Sequence, residues 1–312
     1  MINRRHIRLK VMQSVYAMHQ SNTTDLVKEE KFLKYSIQKM YDLYVLNLQL
    51  LVEVQKLASK KIELSKKKIL ATKEDLNPNI KFIDNRVLNQ IKDSVSLEGY
   101  VELNRLKNWD IEEEYVKIVW ENLKSNKIYE EYMNSSENSY HEDKNFVVSF
   151  FKEIIAPEEK LADYFEDTMI SWVDDIPFVN TWIVKTLNKQ RKDNPFVLGQ
   201  LYKDDDDKRF VSDLFTKVML NQHKYENDIK EKTPNWEAER IADIDMILIK
   251  MAITEFLHFS SIPSRVTINE YIELAKDYST NKSGYFINGV LDKIAKDYTE
   301  NNKMVKIGRG LL

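Results

Sequence analysis

Apolar residues recur along this chain at spacings of three and four, and no segment sustains an alternation of apolar and polar positions. That is the period of helices, not of strands. Residues 4–19 predict one amphipathic helix, with Ile7, Val11, Val15 and Met18 on one face and Arg4, Arg8, Met12 and Tyr16 along another. Residues 28–68 predict a single long helix. Ile37, Met40, Tyr44, Leu48 and Leu51 form one apolar line and Leu43, Leu46, Leu50, Val54 and Leu57 a second, so this helix is expected between neighbours. Its end, "SKKIELSKKK", reads as a solvated lysine-rich face, with phosphate contact as the alternative. Residues 69–142 alternate short helical signals with polar loops such as "ATKEDLNPN". Towards the C-terminus, Ile241, Ile244, Leu248, Met251 and Phe256 predict a strongly apolar helix, and Pro263 punctuates it. A helix over 267–278 follows, and a last one passes through Phe286, Val290, Ile294 and Ala295. The expected fold is all-α.

Within this pattern lies a repeat. "DKNFVVSFF" at 143 and "DKRFVSDLF" at 207 are offset by 64 residues, and the same offset pairs Phe146 with Phe210, Phe151 with Phe215, Trp172 with Trp236 and Ile183 with Ile247. Aromatic positions hold the register, which suggests two related helical units; convergent helix patterning is the alternative.

Composition narrows the chemistry. Six glycines and six prolines in 312 residues leave few turns and favour long helices, and the absence of cysteine removes disulfides, thiolate metal sites and cysteine nucleophiles. No apolar run reaches the roughly 18 residues of a membrane span, and the first residues lack a signal-peptide core, so a soluble cytoplasmic protein is expected. Net charge is −3, yet the ends are basic: Arg4, Arg5, Arg8 and Lys10 precede the first acid, Asp25, while Lys303, Lys306 and Arg309 follow the last, Glu300. Such patches serve either a phosphate-binding face or solubility. No phosphate loop, dinucleotide fingerprint, zinc-type histidine pair or nucleophile elbow occurs. His6, His19, His141, His223 and His258 are scattered, and His258 reads as a capping or core residue. The acids of "KDDDDK" at 203–208 read as a helix start favoured by the helix dipole rather than a metal cluster. No enzyme, cofactor or metal is expected.

The stretch "INEYIELAKDYSTNKSGYFINGVLDKIAKD" resembles the closing signature of the NusB family, in which an "INEAVELAK" helix leads through a short turn into "FVNGVLDKI". Upstream, "ERIADIDMILIKMAITEFLHFSSIPSRVTINE" is similar to the family's helix, proline-marked turn and next helix, and "RRHIRLKVMQSVYAMHQS" to its basic first helix. Residues 1–22 and 196–312 hold these matches, and 23–195 read as a helical insertion that includes a decayed repeat.

The resemblance implies a pair of three-helix bundles and a transcription antitermination factor. It implies binding of boxA-containing single-stranded RNA in ribosomal RNA leaders, together with ribosomal protein NusE, within an RNA polymerase complex of other Nus factors. Arg4, Arg5 and Arg8 match the basic first helix and Tyr16 its "LY" position; Tyr278 and Phe286 match aromatics flanking the turn that holds Lys282 and Gly284. The helix beginning near Glu239 would meet NusE, with Asp245 as its exposed-looking acid. Cations suit phosphates and flat side chains suit unstacked bases. Gly284 is assigned to the RNA face and Gly289 to close helix packing. Phe286 is either a stacking residue or, by its spacing with Val290 and Ile294, core; Tyr278 ends its helix. The turn lacks the glycine and acid common in the family, and Lys282 stands at a commonly acidic position. The alternative function is a helical protein–protein adaptor with a vestigial RNA face.

Overall fold

The computed structural model describes residues 1–233 and 241–307. Among them the secondary structure is helical throughout, so the expected all-α class is observed. The chain forms two compact units: Met1–Ile37 with Leu201–Leu312, and Gln38–Gln200. The sequence places these boundaries at 22/23 and 195/196. The first boundary, Ile37/Gln38, falls inside one continuous helix, which no loop signal betrays; the second, Gln200/Leu201, falls in the non-helical segment between Lys189 and Asp205.

The first unit begins with α1 (Arg4–Ser21) and the start of α2 (Leu26–Lys66). Asn3 caps α1 by accepting a hydrogen bond from the His6 N–H at 2.8 Å. The second unit takes the rest of α2, then α3 (Lys73–Leu76), α4 (Arg86–Lys92), α5 (Val95–Asn104), α6 (Asn108–Ile111), α7 (Glu113–Lys124), α8 (Lys127–Asn134), α9 (Tyr140–Phe150), α10 (Glu159–Thr168) and α11 (Ile176–Lys189). The first unit resumes with α12 (Asp205–Asn221), α13 (Glu226–Lys232), α14 (Asp243–His258), α15 (Ser264–Tyr278) and α16 (Ser283–Glu300).

In the second unit α2 is the central element, and its two apolar lines explain why. All of their residues from Met40 to Val54 are buried, and only Leu57 is half-buried. Tyr41 and Tyr44 pack on Trp182, the latter ring stacked at 4.2 Å. Indoles close on the backbone of α2: Trp109 donates to the Leu46 carbonyl at 2.9 Å and Trp172 to that of Lys39 at 2.8 Å. Burying an indole N–H without such a partner is costly, so these bonds fix how the aromatics pack.

In the first unit α14 lies against α1, α12, α15 and α16. It is apolar nearly all round: Ile247, Leu248, Ile249, Met251, Ala252, Ile253 and Phe256 are all buried, as a helix surrounded by neighbours requires. The basic C-terminus returns to it. Lys306 donates to the carbonyls of Glu255 and Phe259 at 2.9 and 3.0 Å, a second donor for carbonyls at the end of α14 that already accept the N–H groups of Phe259 and Ile262. Burial lowers its pKa from 10.5 to about 8. Lys306 is therefore a helix cap, not a phosphate ligand; Arg309 lies outside the described residues.

Both members of each described repeat pair (Phe146 and Phe210, Phe151 and Phe215, Ile183 and Ile247) are buried; Trp236 lies outside the described residues. The two segments also use their leading aspartate alike. Asp143 accepts from Arg86 Nε at 2.6 Å and Asp207 from Arg4 Nε at 2.7 Å. Each arginine is the first residue of a helix capped by an asparagine, Asn85 or Asn3.

Candidate nucleic-acid interface

The predicted basic face of α1 is not one solvent-facing line. Arg8 is 2% exposed. Its guanidinium is clamped by Glu255, Nε to Oε1 at 2.6 Å and Nη2 to Oε2 at 2.9 Å. Glu255, itself fully buried on α14, also accepts from Tyr271 Oη at 2.7 Å and Thr267 Oγ1 at 3.1 Å. A buried charge survives only when paired and hydrogen-bonded, and this fork supplies both. Burial works against the Arg8 charge, but Glu255 outweighs it and holds the pKa above the ordinary arginine value. Burial likewise raises the Tyr271 hydroxyl, with Glu255 adding to it. Arg8 is thus corrected from an RNA-binding residue to a buried positioning residue joining α1, α14 and α15. Its fourth-residue spacing with Arg4 reads as a surface line, because a lone sequence does not show that Glu255 waits inside.

Its neighbours are partly committed too. Arg4 pairs with Asp207 and lies 5.1 Å from the centre of the Phe210 ring. The last acid of the "DDDD" run, Asp207, is therefore a buried ion-pair partner, while Asp204 caps α12 by accepting from the Asp207 N–H at 2.9 Å. Arg5 is the exposed one, yet it makes a forked bond to Glu270 on α15 at 3.0 and 3.1 Å. That hydrogen bond raises its pKa. An RNA phosphate at Arg5 would compete with Glu270.

At the other end of α1, Tyr16 is 37% exposed, while Met12 on the same line is buried. His19 and Gln20 reach Asp243 at the start of α14, at 3.6 and 2.9 Å. Two residues on, Asp245 accepts from Ser283 Oγ at 2.7 Å. Ser283 in turn meets Ser279 Oγ at 3.0 Å and Thr280 Oγ1 at 2.8 Å. The start of α14 thus ties the end of α1 to the α15–α16 turn. Asp245 is only 6% exposed, which corrects its assignment as an exposed partner contact: it organises the turn from beneath. Glu239 lies outside the described residues.

The turn divides its residues sharply. Lys282 is exposed, and Tyr278 and Phe286 are half-buried. Gly284 is buried against α15, where a Cβ would stand 3.6 Å from Ile272 Cγ2 and 3.7 Å from Lys276 Cγ. Gly289 is exposed and a Cβ there meets nothing within 4 Å. Gly284 is thus corrected from an RNA-face residue to one packed on α15, and Gly289 from a packing residue to an open position.

Sequence reasoning missed Tyr285, 84% exposed in the first turn of α16. Ile287, Val290, Leu291 and Ile294 are all buried. The helical phase of that set places position 285 opposite the core, so the signal was present. Among the described residues, no group of three or more His, Asp or Glu side chains is arranged to hold a metal ion, and no helix is long and apolar enough to cross a membrane.

The family model described as the NusB family matches residues 183–296; the match falls on the C-terminal stretch and does not reach residues 1–22. The protein titled "Transcription antitermination protein NusB" from Salinibacter ruber is 40% identical over 112 residues, covering 36% of this chain and 70% of that relative. Its namesake from Chloroherpeton thalassium is 39% identical over 105 residues, 34% of this chain and 50% of that relative. The one from Acetivibrio thermocellus is 37% identical over 99 residues, 32% and 68%. No solved structure matches. With more than two thirds of the Salinibacter relative covered at this identity, the chain belongs to the NusB family.

Proposed function

We propose that this chain is a transcription antitermination factor that binds boxA-containing single-stranded RNA of ribosomal RNA leaders, jointly with NusE, in an RNA polymerase complex with other Nus factors. The observation that carries the reading is the exposed set Arg5, Tyr16, Lys282 and Tyr285 on elements that the Arg8–Glu255 and Asp245–Ser283 bonds lock together. It offers cations for phosphates and flat rings for bases, the pairing that single-stranded RNA requires. Arg4 and Tyr278 flank the set, and Phe286 supports the turn from a half-buried position. Arg5 and Tyr16 are eleven residues apart, roughly 16 Å of helix rise, a span of several nucleotides. The function needs binding alone, with no catalytic step and no cofactor. NusE would dock elsewhere on the first unit, and the second unit is an inserted helical region that includes a decayed repeat of part of the first. Titrating a labelled boxA RNA against Tyr16→Ala, Tyr285→Ala and the native chain tests this. Each stacking ring is expected to contribute about 1–3 kcal/mol. Native affinity in both variants would remove the face from the site.

A further inference from the structure

The second unit holds a feature that the antitermination face does not use. From Lys56 to Lys73 the sequence carries seven lysines against one acid, Glu63. Beside this end of α2 opens a pocket of about 380 Å³ walled by Ile62, Phe82, Trp120 and Tyr129. Lys61 and Lys124 flank it, each ammonium 5.9 Å from the centre of the Trp120 ring. Trp120 is 6% exposed and its indole N–H has no hydrogen-bond partner, in contrast to Trp109 and Trp172, whose indoles are satisfied on α2. The indole N–H is itself shut away from solvent, so what this pocket offers a ligand is its rings and the flanking cations.

We propose that this pocket is a second contact for single-stranded RNA, holding an unstacked base against the Trp120–Tyr129 wall and adjoining phosphates on Lys61 and Lys124. The proposal rests on the reading of the chain as an RNA-binding protein and extends it to the inserted unit. The carboxylates nearby do not close the site to an anion. Glu121 bridges Lys61 at 2.6 Å and Lys124 at 3.7 Å from an exposed position, where such a pair is weak and readily exchanged for a phosphate. Asp75 is held by Lys68 at 2.9 Å and by the cap it forms with Thr72; Glu74 is exposed at the rim. An acidic polypeptide would satisfy the lysines but leave the ring-lined pocket unused. A base pair in a duplex presents no free face to the rings. Single-stranded RNA uses both features.

The test uses the full chain, a fluorescein-labelled twelve-nucleotide oligouridylate, and a double variant of two exposed side chains, Lys61→Glu with Lys124→Glu. Losing two phosphate contacts is expected to weaken binding about tenfold or more at 0.1 M salt, and to lower the slope of log K against log salt by about 1.4. Ultraviolet crosslinking of the native complex is expected to mark peptides containing Trp120 or Tyr129. Unchanged affinity and slope, or crosslinks confined to 1–37 and 201–307, overturn the proposal. The parallel variant Tyr16→Ala with Lys282→Glu separates the two readings. If it abolishes binding while the lysine variant binds normally, the α1 face stands and this pocket falls; the reverse result leaves the pocket and removes the face. A native chain that ignores oligouridylate but captures a polyglutamate peptide overturns this proposal in favour of a protein partner.

Discussion

Replacing Arg8 by methionine keeps most of the side-chain volume but strands Glu255. That carboxylate is fully buried and would keep only the Tyr271 and Thr267 hydroxyls, at 2.7 and 3.1 Å, as donors. Removing one partner of a buried ion pair costs about 3–5 kcal/mol, chiefly the burden of the uncompensated charge. For a domain of some 150–250 residues each kcal/mol moves Tm by about 2–4 °C, so a fall of about 6–20 °C is expected. Calorimetry gives the shift, and hydrogen exchange of α1 and α14 amides assigns the loss to the first unit. Arg8→Lys should recover only part of it, because an ammonium cannot make the planar fork. Arg8→Met with Glu255→Met should lose less than Arg8→Met alone, since no charge is left unpaired. The refuting result is an Arg8→Met protein that melts like the native one while its RNA affinity drops. Arg8 would then be a surface ligand after all.

Asp245→Arg places a long cation where a carboxylate with 6% exposure meets Ser283; it should lower Tm markedly, and a native melting curve with NusE binding lost would restore the partner-contact assignment. Gly289→Ala, with open space around the new methyl, should stabilise α16 by about 0.5–1 kcal/mol in denaturant titrations, whereas a loss would reveal a packed neighbour. Lys306 loses its proton near pH 8 when folded against 10.5 as the ordinary value. Between those values the unfolded chain binds more protons, so this group makes stability rise with pH. Lys306→Met should flatten that rise in melts at pH 8, 9 and 10, and an unaltered profile would exclude Lys306 as its source.

The fold class was legible because helical period is a property of consecutive residues. The long helix α2, the apolar α14 and the closing pair α15–α16 all announce themselves that way. The apolar lines of α2 even state that it is buried on two sides. Partnership across the chain is a different matter. Arg8 finds Glu255 at a separation of 247 residues, and nothing local in "RRHIRLK" distinguishes it from Arg5, which stays exposed. Asp245 looks like a first-turn acid offered to solvent until Ser283 arrives from 38 residues away. The glycines escape a local reading for a related reason: which side of α16 faces α15 depends on packing, although the buried phase of Ile287, Leu291 and Ile294 points outward at Tyr285.

The central claim is that the first unit reads boxA RNA with NusE. The most direct measurement is a titration of the full chain with boxA RNA and with a scrambled RNA of the same composition, each with and without NusE, at fixed salt. The account predicts tighter binding of boxA than of the scrambled strand, a further gain with NusE, and loss of that preference in Tyr16→Ala with Tyr285→Ala. Equal affinity for the two strands in the presence of NusE, or a preference untouched by the double variant, would contradict it.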